Sequence, residues 1–310
     1  MVTDWEQRIG KQRDWVWRGW QVRYSFLWPP DRRGKERPPL IFLHGFGACI
    51  EHWRHNLPVL SQQHPIYALD LLGFGASRKV STDYIIDLWV QQVYDFWRSF
   101  IGHPVVLVGN SIGSLVCTAA AATYPEMVCG LVLVNLPDVS LRQEMIPRWL
   151  QPTVTAVEGL VASPPLLKLL FQLLRRPSIV RRWATFAYSN PSRVTEELVE
   201  ILATPAQDEG ATGTFAALGR SVNRPNFSPS VGKILPSLTV PILLVWGTED
   251  RMVPPSLAPR FAKLNPLICL RELAGAGHCP HDEYPDEFNS IFLDWLELTY
   301  SGSTKPSMVN

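Results

Sequence analysis

Six short apolar runs punctuate the chain: Pro39–Leu43, Pro65–Asp70, Pro104–Val108, Leu131–Asn135, Pro241–Trp246 and Leu267–Leu273. The first five are shorter than an ordinary helix and near-continuous rather than alternating, the pattern of a strand buried on both faces, and Leu267–Leu273 reads as a further short strand. From Leu40 to Asn135 the order reads strand, loop, strand, helix, strand, helix, strand. The first helix is expected over Tyr84–Phe100 and the second over the small-residue stretch Ser114–Ala122. This alternation predicts an α/β fold: a mostly parallel central sheet with helices on both faces. Upstream, Trp15–Trp17 and Gln21–Leu27 read as a hairpin around Arg18-Gly19, and Pro29–Pro38, with charges of both signs, as a solvated connection.

Between Asp138 and Leu238 the alternation stops. A crossover between neighbouring parallel strands needs only about a dozen residues. This one is several times longer, so it is expected to hold its own structure. The reading is a helical cap inserted after the sixth strand, dividing the chain into core 1–137, cap 138–238 and core 239–310. Within the cap, Leu166–Arg176 is a very apolar short helix ending in arginines, followed by Arg181-Arg182-Trp183. Leucines closing over the core explain it. A second reading lays part of the helix on a membrane surface, with the arginines near anionic headgroups.

Candidate chemistry collects at the ends of the apolar runs. Gly109-Asn110-Ser111-Ile112-Gly113 follows one strand and precedes a helix, which puts a serine on a sharp turn that only small neighbours permit. The run Pro241–Trp246 empties into Gly247–Pro254, which carries Glu249 and Asp250. The run Leu267–Leu273 leads to Gly275-Ala276-Gly277-His278, where small residues let a histidine reach back over the sheet edge. Ser111, Asp250 and His278 are thus the candidate nucleophile, acid and base. Backbone N–H groups of Phe46, in the loop after Pro39–Leu43, and of Ile112 are the candidate oxyanion donors.

Each position has a structural alternative. Asp250 could cap the helix after it, and Asp138, after the strand Leu131–Asn135, is the alternative acid. His281 rivals His278 but is expected at a helix start. His44 is expected to shape its loop, and His52, His55, His64 and His103 to be surface or satisfied groups. Gly73-Phe74-Gly75 lacks the third glycine and the distant acid of a dinucleotide fingerprint, and reads as a wall of the pocket.

The order Ser, Asp, His with a glycine-flanked serine resembles the α/β-hydrolase superfamily over nearly the whole chain. The resemblance implies acyl transfer through an ester on Ser111, with no metal or cofactor required. Asp70–Ser77, Asn110 in place of a commoner histidine, and Asn135-Leu136-Pro137-Asp138 look like the pheophytinase and chlorophyll dephytylase branch of chloroplasts and cyanobacteria. That branch cleaves the phytyl ester of chlorophyll-type pigments, which implies a bulky apolar ester substrate and a site peripheral to a thylakoid membrane. Carbon–carbon bond hydrolases and cofactor-free peroxidases use the same triad, and a non-catalytic pigment- or partner-binding protein could keep the fold. Relatives with an aspartate nucleophile are set aside, because this chain has Ser111 at that position.

Composition narrows the partners. A net charge of +1 argues against nucleic acid. Five scattered cysteines suit reduced thiols in a cytoplasmic-type compartment. Met1–Arg18 lacks the apolar core of a secretory signal, and no run approaches the ~20 apolar residues needed to span a bilayer.

Overall fold

The structure, a computed structural model, describes residues 8–31, 36–139, 164–222 and 224–300. Eight strands form one sheet: β1 (Lys11–Trp17), β2 (Trp20–Leu27), β3 (Leu40–Leu43), β4 (Ile66–Leu69), β5 (Val105–Asn110), β6 (Val128–Val134), β7 (Ile242–Gly247) and β8 (Ile268–Leu273). Their order is β1-β2-β4-β3-β5-β6-β7-β8. The pairs β1/β2 and β2/β4 are antiparallel, and every later pair is parallel. The hairpin turn places Arg18 and Gly19 at φ +52° and +82°, the sign a tight two-residue hairpin requires at both positions. Its first strand starts at Lys11, four residues before the expected Trp15. The polar segment Lys11–Asp14 is a sheet edge, where backbone pairing to β2 needs no apolar side chains.

Side chains along each central strand alternate between two apolar layers, as the pleat dictates. Ile41, Leu43, Leu107, Leu131 and Leu133 face one layer, completed by α1 (Ile86–Phe100), α2 (Ile112–Thr123) and α7 (Leu257–Ala262). Leu40, Phe42, Val106, Val108, Val132 and Val134 face the other, completed by Trp53, Leu57 and α8 (Pro285–Tyr300). Helix α1 begins two residues after the expected Tyr84, because Tyr84 N–H donates to Ser221 Oγ and Ile86 N–H to Phe227 O.

Among the described residues between β6 and β7 are the helices α3 (Pro164–Leu174), α4 (Pro177–Ala187), α5 (Glu196–Ala203) and α6 (Ala211–Val222), followed by a single turn at Val231–Ile234. Residues 140–163 of the expected cap fall outside the described residues. At its far end Phe227, Val231, Leu235 and Leu238 join the sheet's first apolar layer.

The second layer centres on Phe42, fully buried with its ring 5.1 Å from Trp53 and 6.4 Å from Phe292. Phe42→Ala should therefore cost about 3–5 kcal/mol through the void it leaves, read as a lower urea midpoint at unchanged denaturant slope.

Candidate active site

Strand β5 ends at Asn110 and α2 begins at Ile112, so Ser111 alone makes the turn. It does so at φ +53° and ψ −114°, a conformation that costs an L-residue roughly 1–3 kcal/mol. Neighbouring backbone leaves no alternative: Ser111 N–H donates to Val134 O of β6 at 2.9 Å. A Cβ on Gly109 would sit 2.3 Å from the Gly113 carbonyl carbon, and one on Gly113 would sit 2.4 Å from Leu43 O. The strained turn and its two glycines are thus one unit.

At the ends of β6, β7 and β8 a buried carboxylate gathers donors. Asp250 Oδ2 lies 2.8 Å from His278 Nδ1 and accepts from Asn135 Nδ2, while Oδ1 accepts Met252 N–H at 2.7 Å and Val253 N–H at 3.0 Å. Burial alone would raise the Asp250 pKa. The His278 hydrogen bond and charge, the Asn135 amide and the Val253 N–H outweigh it and hold the carboxyl below its ordinary range. An ionised carboxylate only accepts, so the pairing puts a proton on His278 Nδ1 and leaves Nε2 as the basic nitrogen. Asp138, the alternative acid, instead accepts Gly232 N–H at 3.2 Å.

Ser111, His278 and Phe46 line one cavity of about 510 Å³. The Phe46 and Ile112 N–H groups donate to no protein acceptor among the described residues, which leaves both free for an oxyanion. The loop carrying Phe46 is held by His44, whose Nδ1 pairs with Gly45 O at 2.7 Å and whose Nε2 accepts Leu71 N–H at 3.1 Å. Burial lowers its pKa to about 4, so the ring is neutral and structural. Gly73, Phe74 and Gly75 do form a wall of the cavity. Apolar side chains from α3, α4 and α6, among them Phe171, Trp183 and Leu218, close it from the other side.

Several residues at the site had no role assigned from sequence, although Asn110 and Asn135 stand in the segments that carry the family resemblance. Asn135 sits at φ +47° and bonds both Asp250 and Gly277 O; its place at a strand end was a further cue. Asn110 Nδ2 donates to His278 O at 3.2 Å. His278 N–H donates to Ala187 O of α4 at 2.8 Å, and buried Glu283 accepts Gly277 N–H on one side and Ser189 and Asn190 N–H on the other. His52 is neither a surface group nor fully satisfied. It is buried in the cavity wall with Nε2 2.9 Å from Tyr188 Oη, while its Nδ1 finds no partner among the described residues. Tyr188 in turn donates to Asp282 at 2.6 Å, which also holds Arg54 at 2.7 Å. His281 lies in a single helical turn, Pro280–Glu283, buried 4.1 Å from the Trp53 ring, and burial drives its pKa well down. Among the described residues no group of three or more His, Cys, Asp or Glu side chains is arranged to hold a metal ion.

A family model described as alpha/beta hydrolase fold matches residues 38–285. The chain belongs to this family. It is 27% identical to the chloroplastic pheophytinase of Arabidopsis thaliana over 86% of its own length, spanning 63% of that relative. It is also 27% identical to the human 1-acylglycerol-3-phosphate O-acyltransferase ABHD5, covering 82% of this chain and 76% of the relative. In fold it is similar to the crystal structure of a serine hydrolase involved in carbazole degradation, with a TM-score of 0.75 and 22% identity over 93% of this chain and 99% of that one.

The buried histidines make stability pH-dependent. Burial lowers His52 from 6.5 to about 4, so between those values the unfolded chain binds a proton that the folded chain refuses. Stability is complete above pH 6.5 and falls as the pH drops toward 4, by roughly 3 kcal/mol for this one group. His52→Gln keeps a donor for Tyr188 and removes the titration. The slope of urea midpoint against pH in this window should become shallower by one proton, and an unchanged slope would mean that His52 is charged in the fold.

Proposed function

We propose that the protein is a serine hydrolase that cleaves a carboxylic ester of a bulky apolar substrate. The observation that carries this reading is the Asp250–His278 pair beside a strained Ser111 in the wall of an apolar cavity. Ser111 Oγ attacks the ester carbonyl while His278 Nε2 takes its proton, and the Phe46 and Ile112 N–H groups stabilise the oxyanion. Collapse of that intermediate breaks the bond to the alkoxy oxygen, which leaves with the proton from His278. Water, deprotonated by the same nitrogen, then releases the acid from acyl-Ser111. Asp250 keeps the ring in the productive tautomer and stabilises the imidazolium.

The cavity supports the substrate class. Its volume suits a drug-sized ligand, and Phe46, Phe74, Phe171, Leu174, Trp183 and Leu218 give it aromatic and aliphatic walls. The likeness to pheophytinase supports the phytyl ester of a chlorophyll-type pigment as the specific substrate. Such a pigment would come from a pigment-bearing membrane of a cyanobacterium or chloroplast.

Phytol release from detergent-dispersed chlorophyll a and pheophytin a is the direct test. Ser111→Ala should lower the rate by roughly 10³-fold or more. Release that survives the substitution removes Ser111 from the mechanism. No release from protein that still turns over 4-nitrophenyl esters keeps the ester hydrolase and discards the pigment. Cleavage of a carbon–carbon bond in a dienone without ester turnover would favour the other chemistry of this triad.

The acid assignment has its own test. Asp250→Asn should reduce kcat by several orders of magnitude, on the order of 10⁴-fold, because the ring loses its tautomer. Asp138→Asn should leave kcat within a few-fold, and the reverse pattern would transfer the role to Asp138.

A further inference from the structure

Helices α3 and α4 present apolar side chains to solvent where a monomeric protein would ordinarily place polar ones. On α3, Leu166, Leu169 and Leu173 share one face by their i, i+3, i+7 spacing, and Leu169 is 70% exposed. On α4, Trp183 is 56% exposed and Phe186 46%, with their rings 6.3 Å apart. The opposite sides of these helices, through Leu167, Phe171 and Ala184, are already buried. The exposed set is therefore a second apolar face without a partner among the described residues.

Charge singles out the occupant. From Pro164 to Thr195 the chain carries Lys168, Arg175, Arg176, Arg181, Arg182 and Arg193 and no acidic residue. Arg181 is taken up by Glu196 of α5. Lys168, Arg175, Arg176 and Arg182 have no ion pair among the described residues, and Lys168, Arg176 and Arg182 are exposed. Arg175 and Arg176 share a cleft with Glu196 and Glu200 without pairing to them, and exposed leucine, tryptophan and phenylalanine with basic residues at their margin match an interface between acyl chains and anionic headgroups.

The cavity reaches the same face. Trp183 belongs both to this face and to the cavity wall, and Arg175 at the end of α3 also lines it. Phe46 and Met252, 52% and 49% exposed, line the cavity as well and continue its apolar rim. No helix among the described residues is long and apolar enough to cross a membrane, so the contact would be to a surface.

We propose that the α3–α4 face docks on an anionic lipid bilayer with the cavity mouth turned toward the lipid, so that an apolar substrate passes from bilayer to Ser111 without crossing water. Docking rests on this surface alone; the delivery of substrate rests on the hydrolase reading above.

The test is flotation of the purified full chain with phosphatidylglycerol-containing vesicles and with pure phosphatidylcholine vesicles. Binding should favour the anionic vesicles and weaken as salt is raised. Arg176→Glu with Arg182→Glu should weaken it tenfold or more, since each basic residue near such a surface is worth about fivefold. Leu169→Gln with Leu173→Gln should remove the binding that persists in high salt. None of these four side chains lines the cavity, so turnover of a water-soluble short-chain ester should be unchanged in both variants, while turnover of an apolar ester held in anionic vesicles falls with binding. Failure to float, equal binding to both vesicles, or binding untouched by the four substitutions overturns the proposal. So does a dimer in solution that the leucine variant converts to monomer, because the face would then belong to a second copy. Absence of soluble-ester turnover in the unsubstituted protein would count against the hydrolase reading and leave the flotation result standing.

Discussion

One buried carboxylate organises the reacting end of the sheet. Asp250 sits where a charge is costly, and it remains charged because four donors converge on its two oxygens. Two come from its own loop, one from the end of β6 and one from the loop after β8. They meet only because β6, β7 and β8 run parallel and in register, with Val134 opposite Val245 and Val245 opposite Arg271. The tautomer of His278 follows from this convergence, and with it the direction in which a proton can move.

The other half of the site rests on steric exclusion instead of charge. Ser111 is held at positive φ by a helix and a strand that approach too closely for any side chain at Gly109 or Gly113. Ten buried residues of α2 anchor that approach, so core packing offsets the local strain. The two halves meet through Asn110, the residue before Ser111, whose Nδ2 donates to His278 O. The parallel strand ends bring the elbow after β5 and the loops after β7 and β8 to one cavity.

That division explains what could be read from the amino-acid order. Five of the runs mark strands buried over their length, since burial on both faces leaves a local signature, while Leu267–Leu273 marks the half-exposed edge strand β8. Ser111, Asp250 and His278 stand at strand ends among small residues, so each candidate could be found within its own segment. The partners that position them have no such signature. Asn135 and Asp250 are 115 residues apart, His52 and Tyr188 are 136 apart, and Ser189 and Glu283 are 94 apart. A polar side chain that will be buried and paired across such distances looks, in sequence, like one that will be solvated. His52 illustrates this: expected to be a surface or satisfied group, its ring is enclosed by Tyr188 and His281.

Helix α4 and the residues after it are bound to the loop carrying His278 by its backbone. Ala187 O takes the His278 N–H, and Glu283 bridges Gly277 to Ser189 and Asn190. A Cβ at Gly277 would lie 2.4 Å from Ala187 O. On the far side of the cavity, Lys79 joins Asp208 at 2.7 Å, and Gly210 packs against the Lys79 backbone. Any displacement of α4 therefore pulls on His278, and under the proposed mechanism an ångström of error in its place relative to Ser111 would cost orders of magnitude in rate. Swinging α4 away would break the N–H contacts that position His278. Among the described residues these contacts tie the helices to both sides of the cavity, so the proposed chemistry would depend on their staying in place.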